Sequence, residues 1–195
     1  GDVIPQVIKV IKKKTNRNKQ IMPPKICPIC KGATLKENDE AVLRCTNTYK
    51  CKAQIIGQLV NFVSKKSMNI DGFGEKQIKQ FYNLNFIKNF NDIFNIENHK
   101  ESIINLEGWG NQSYENLIIA INKSKIIDLE KFIFSLGIRF VGETTSRLLA
   151  KEFFNINDLI KYSKNTEKLS LIDGLGPKAI LSIAKYFSNL NNLSI

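Results

Sequence analysis

Four cysteines are the residues best placed for chemistry, falling as Cys27-x2-Cys30 and, fourteen residues further on, Cys45-x5-Cys51, with no other cysteine in the chain. Two close pairs, each at a turn and joined by a loop of this length, are what a four-thiolate zinc site needs. Each pair brings two sulfurs to about 2.3 Å from one ion, and the loop folds the pairs into a tetrahedron. Pro28 stiffens the first turn, and Gly32 can take the positive φ that turns backbone N–H groups toward the sulfurs. Disulfides need an oxidising compartment, and nothing in the sequence points to export. A redox dithiol would need one such pair within a βαβ context, which is missing. With all four positions filled by thiolate the metal is structural, not catalytic. Residues 26–54 hold few large apolar groups, so the metal would supply most of their folding energy.

A second pattern is a Gly-apolar-Gly turn set in helical sequence: "NIDGFGEK" at 69–76, "NLEGWGNQ" at 105–112 and "LIDGLGPKA" at 171–179, with "GIRFVGE" at 137–143 as a variant. Aligning the second glycine of each gives Gly74, Gly110, Gly142 and Gly176, separated by 36, 32 and 34 residues. Glycine inside a helix costs about 1 kcal/mol relative to alanine, so its recurrence needs a reason. A tight turn of this kind leaves backbone N–H groups uncovered, and the helix that follows begins with unpaired N–H groups of its own. Together they form a small positive site open to a phosphate oxygen. Phe73, Trp109 and Leu175, between the glycines, turn inward as anchors, and Pro177 pre-sets the first turn of the last helix.

The candidate backbone contacts are therefore Gly72, Gly74, Gly108, Gly110, Gly142, Gly174 and Gly176, with Lys76, Arg139 and Lys178 as side-chain partners. The third turn departs from the pattern. Phe140 stands at the first-glycine position, which makes that turn less open, and Arg139 substitutes a side-chain contact. The second offers Asn111 and Gln112 in place of a lysine. Uneven contributions follow, with the first and fourth turns strongest. Such a grip reads no bases, and no helix carries the Arg, Asn and Gln cluster of a recognition helix. Two bland readings compete: helix ends used purely for packing, and a protein-interaction array, since tetratricopeptide repeats share the period near 34. The tryptophan, Leu-Gly and tyrosine signature of those repeats is not visible.

The elements that must position these residues are mostly helical. The chain has 195 residues, 43% hydrophobic and 24% charged, and a net charge of +11. That charge points to a polyanionic partner. Seven basic residues against Asp2 alone crowd residues 1–26, either as a solvated linker or as phosphate contacts. No run of about 18 apolar residues exists to cross a membrane. "GDVIPQVIKVI" reads as a strand whose sheet lies elsewhere. A polar linker follows over 12–25. From about residue 55, "IIGQLVNFVSKK", "EKQIKQFYNL", "NQSYENLIIAINKS", "LEKFIFSL", "TTSRLLAKEFF" and "PKAILSIAKYF" carry apolar residues at helical spacing. The opening at Gly1, without methionine, reads as a piece of a longer protein.

The order of "GDVIP", the four-cysteine finger, "CKAQ", and the turns with "SKKSMNIDGFG" and "LGIRFVGE" strongly resembles the C-terminal half of bacterial NAD-dependent DNA ligase, over essentially the whole chain. The resemblance implies a mainly α fold: four helix-hairpin-helix repeats over 55–195, a small zinc finger over 26–54, and a terminal oligonucleotide-binding (OB-fold) strand with basic linker over 1–25. It implies one structural zinc on Cys27, Cys30, Cys45 and Cys51, and a helical domain that grips nicked double-stranded DNA. It further implies a monomer in the bacterial cytoplasm, associated with the nucleoid and not with a membrane. Ligation in that family passes through a lysine in Lys-x-Asp-Gly. Here Asn69 precedes Ile70-Asp71-Gly72 and Leu171 precedes Ile172-Asp173-Gly174, so no catalytic residue is assigned. NAD and Mg2+ would enter only through a missing N-terminal half, and this part alone would be inactive. Asn61 departs from the histidine frequent in the family, with no consequence expected for zinc. The rivals are a stand-alone duplex-binding module of another repair protein and the interaction array. His99 reads as an exposed helix residue, and no carboxylate pair suggests acid–base or magnesium work.

Overall fold

A computed structural model describes residues 5–9, 22–37 and 40–192, and the chain divides between Thr46 and Asn47 into two units. In the first unit, strands β1 (Thr34–Lys36) and β2 (Leu43–Cys45) pair antiparallel, with Thr34 opposite Cys45 and Lys36 opposite Leu43. An isolated bridge between Ile26 and Ala33 extends the ribbon. Its apolar side chains, Ile26, Ile29, Leu35 and Val42, stay exposed, while Cys27 is buried. A ribbon of three-residue strands has no apolar face to bury, so its order must come from somewhere other than a core. The strand expected at the start of the chain is not formed over residues 5–9, whose side chains are exposed. The rest of that segment and residues 12–21 of the linker lie outside the described residues.

The second unit is helical. Its helices are α1 (Lys52–Val63), α2 (Glu75–Asn83), α3 (Phe90–Phe94), α4 (Lys100–Ile104), α5 (Asn111–Ser124), α6 (Leu129–Ser135), α7 (Glu143–Glu152), α8 (Ile156–Ser163), α9 (Thr166–Ser170) and α10 (Pro177–Ser188). All six stretches with helical spacing are helices. Of the others, α3, α4 and α9, with five residues each, carry too few turns for periodicity to register.

Two apolar clusters fill the unit. The first takes Ile56, Leu59 and Phe62 of α1, Ile78 and Phe81 of α2, and Leu117 and Ile121 of α5, with Phe62 stacked on Phe90 at 4.3 Å between ring centroids. The second takes Ile133 of α6, Leu149 of α7, Leu159 of α8, Leu169 of α9, and Ile180 and Ile183 of α10. Phe132 packs against both. Asn61 Nδ2 donates to the Ser135 carbonyl at 3.2 Å, and Lys66 Nζ meets Glu143 Oε1 at 2.6 Å. The residue noted as a departure from the family is thus a tie between the two clusters.

The two clusters belong to a duplicated module. Asn89 caps α3 by accepting from the Asp92 N–H, and Asn155, 66 residues later, caps α8 by accepting from the Asp158 N–H. The surrounding "NFNDIF" and "NINDLI" agree in pattern, and Gly108 and Gly174 stand the same 66 residues apart. At its far end the unit closes on itself. Asn192 Nδ2 donates to the Tyr186 carbonyl at 2.8 Å and to the Tyr49 hydroxyl at 3.1 Å.

Candidate metal centre and nucleic-acid interface

The first cysteine pair sits on a backbone knuckle: the Cys27 N–H donates to the Gly32 carbonyl at 2.8 Å, and the Lys31 N–H donates to the Cys27 carbonyl at 3.0 Å. The positive φ expected at Gly32 falls instead on Lys31, at 60°. The second pair ends on a similar bend, where the Cys51 N–H donates to the Asn47 carbonyl at 2.8 Å and Cys51 becomes the N-cap of α1. The four ligand sulfurs all lie within 4.8 Å of one another, with Cys30 and Cys45 at 3.4 Å. A tetrahedron of zinc–sulfur bonds of about 2.3 Å needs sulfurs about 3.8 Å apart, so the set fits zinc. Four thiolates leave no place for a substrate, so the metal's contribution is to the fold.

The four Gly-apolar-Gly bends share one conformation. The N–H of the central apolar residue donates back three positions: Phe73 to Ile70 (3.4 Å), Trp109 to Leu106 (3.0 Å), Val141 to Ile138 (3.0 Å) and Leu175 to Ile172 (3.2 Å). The residue before it is left-handed in every case, with φ of 76° at Gly72, 79° at Gly108, 62° at Phe140 and 80° at Gly174. The second glycine is then the extended N-cap of a long helix: Gly74 of α2, Gly110 of α5, Gly142 of α7 and Gly176 of α10. Phe73, Val141 and Leu175 are buried and Trp109 is half-buried, resting on Phe81 at 5.0 Å with its Nε1 donating to Gln80 at 3.4 Å. These central residues are the expected anchors.

The two glycines of a bend have different reasons to be glycine. The first needs its positive φ. The second does not, since φ is −77° at Gly74, −92° at Gly142 and −71° at Gly176, and Gly110 is fully extended. A Cβ would meet nothing within 4 Å at Gly110, Gly142 or Gly176, and only the flexible end of Gln77, at 3.5 Å, at Gly74. Neither backbone conformation nor packing inside the chain calls for glycine there. Glycine is among the favoured N-cap residues, and its missing side chain leaves each helix start uncovered.

The candidate side chains are unevenly placed. Lys76 and Lys178 are exposed in the first turns of α2 and α10. The guanidinium of Arg139 lies 4.8 Å from the Phe140 ring centroid and the ammonium of Lys178 lies 5.9 Å from it, so the third and fourth bends meet. At the second bend the Gly110 N–H is already bonded to Ser113 Oγ at 2.9 Å, and Gln112 is engaged with Asn116. Phe140, whose ring makes the third bend less open, nevertheless adopts the left-handed conformation of the first glycines in its sister turns. His99, expected to be an exposed helix residue, is half-buried in a 3-10 turn and stacked on Phe86 at 4.7 Å. Aromatic partners of this kind are not legible in a sequence.

A four-cysteine finger carried with helix-hairpin-helix turns defines the class of protein. The NAD-dependent DNA ligase C4 zinc finger domain matches residues 27–53, and the helix-hairpin-helix motif matches residues 131–195. Proteins named DNA ligase from Wolbachia pipientis wMel, Pelagibacter ubique and Bacillus cereus are 39%, 40% and 38% identical to this chain over its whole length. The chain spans about 30% of their length. Together these likenesses fit the C-terminal part of an NAD-dependent DNA ligase and support a DNA-binding role for it.

Proposed function

We propose that this chain is the part of an NAD-dependent DNA ligase that grips the duplex backbone around a nick, without reading sequence, so that an adenylation domain elsewhere in the whole protein can seal it. All four bends, including those at Gly72 and Gly108, act as helix-hairpin-helix turns. The observation that carries this reading is the second glycine of each bend, open and unstrained at the start of a long helix. A phosphate oxygen can approach such a main chain closely and accept from the first N–H groups of the helix, whose dipole favours the negative charge.

Each bend contributes differently. The first offers Gly72, Gly74 and Lys76 together. The second, Gly108 and Gly110, is weakened because Ser113 already takes the Gly110 N–H. The third pairs Gly142 with Arg139. The fourth offers Gly174, Gly176 and Lys178, with Pro177 setting the helix start but supplying no N–H. One zinc ion on Cys27, Cys30, Cys45 and Cys51 holds the finger's loops in place. NAD and Mg2+ belong to chemistry carried by the rest of the whole protein, a monomer of the bacterial cytoplasm working on the nucleoid.

The test is a fluorescence-anisotropy titration with nicked, intact and single-stranded DNA at several salt concentrations. Duplex binding without sequence preference is expected, with the logarithm of affinity falling by roughly 0.9 per phosphate contact for each unit of log salt. Salt-insensitive binding, or none, would favour a protein-interaction array. Restored sealing when the adenylation half is supplied in trans separates a ligase part from a duplex-binding module of another repair protein.

A further inference from the structure

We propose that Phe140 is a stacking residue that recognises a nucleoside face exposed where a duplex is interrupted, flanked by Arg139 and Lys178 on the neighbouring phosphates. This deepens the ligase reading and rests on it. Phe140 stands where its three sister bends carry Gly72, Gly108 and Gly174, and its backbone lies in the same left-handed region. The ring is therefore something added to a common turn and not a different way of building it. Nor does the core require it. Ile138 and Val141, on either side, are buried in the second apolar cluster, while Phe140 is 43% exposed and stands outside that cluster.

What lies against the ring is charge. The Arg139 guanidinium sits 4.8 Å from its centroid and the Lys178 ammonium 5.9 Å from it, one cation from each of two bends. Both cations lie over the ring and are held to it by cation–π attraction, while the part of the ring they leave uncovered faces solvent. Next to it is a surface hollow lined by Phe140, Thr145, Gly176, Pro177, Lys178 and Ala179, at the starts of α7 and α10. An aromatic face framed by cations complements a nucleotide strand, which alternates apolar sugars and bases with phosphates. In an intact duplex the base faces are covered by their neighbours. At a nick the missing phosphodiester lets the stack hinge open at lower cost than in intact duplex, which brings one base face and its sugar within reach, so the ring would confer preference for interrupted DNA over intact DNA.

The experiment uses the full chain, a pair of duplexes identical but for a nick, and the variants Phe140→Gly, Phe140→Asn, Phe140→Trp and Lys178→Ala. Glycine and asparagine both accept a left-handed backbone, so melting temperatures are expected to hold. Affinity for the nicked duplex is expected to fall about 5-fold to 100-fold in both, with a smaller loss on the intact duplex and an unchanged salt slope. Tryptophan is expected to keep the preference, and Lys178→Ala to flatten the salt slope by about 0.9. Unchanged nicked-over-intact preference in Phe140→Gly overturns the proposal. So does a salt slope that flattens in Phe140→Gly, because the ring would then act only by holding its cations. If the unaltered chain binds no duplex, the ligase reading fails as well; if it binds and only Phe140→Gly is silent, the stacking role alone is lost.

Discussion

At Gly74 and Gly176 the main chain runs at ordinary angles with room for a side chain, whereas Gly72 and Gly174 sit in the left-handed region. The two kinds of glycine can be separated by experiment. Gly74→Ala and Gly176→Ala are expected to cost no more than about 1 kcal/mol, the loss of a favoured N-cap residue, and to weaken duplex binding. Gly72→Ala and Gly174→Ala are expected to cost about 1–2 kcal/mol of stability each, because alanine is strained at positive φ. Urea melts beside anisotropy titrations measure both quantities, and unchanged duplex binding in Gly74→Ala and Gly176→Ala would return the turns to a packing role. The glycines themselves were legible as a repeated pattern. Their division of labour was not, because it resides in dihedral angles. Phe140 shows the limit most sharply, since nothing in the sequence says that a bulky residue there will take the same left-handed backbone as Gly72, Gly108 and Gly174.

At the scale of elements, the finger and the helices are held by different forces. The finger's short ribbon leaves Ile29, Leu35 and Val42 exposed, so little apolar burial supports it. Cys45→Ser is therefore expected to release the metal and unfold the finger up to the start of α1 at Lys52 while the helices stay formed. A chelation melt with metal analysis checks this, and intact finger order after complete chelation would contradict it. The cysteine spacing made this element readable, because thiolate geometry is local and strict. The ribbon was not anticipated, since three-residue strands leave no alternation to detect. Long helices such as α5 and α10 announced themselves through buried rows, Leu117 and Ile121 in one, Ile180, Ile183 and Phe187 in the other. The helix α8 was missed, although Asn155 caps it with its own side chain and repeats the sequence around Asn89. A search at twice the hairpin period would have found it.

For the molecule as a whole, the second unit joins its beginning to its end at Tyr49, Tyr186 and Asn192. Burial, and secondarily Tyr49, raises the Tyr186 pKa above its ordinary value. The unfolded chain therefore loses this proton near pH 10 while the folded chain keeps it, so the unfolded state binds fewer protons and stability falls as pH rises beyond that point. Denaturant melts at pH 9 and pH 11 are expected to show a shallower loss in Tyr186→Phe than in the parent. The charge of +11 and the run of turns spoke for a polyanionic partner from the start. The tie between modules through Asn61 and Ser135 did not, because residues 74 positions apart meet only in the fold. Each module has its own oily interior. A cavity opened in one therefore disturbs that half's own packing first and reaches the other through Phe132 and the polar ties that cross between them.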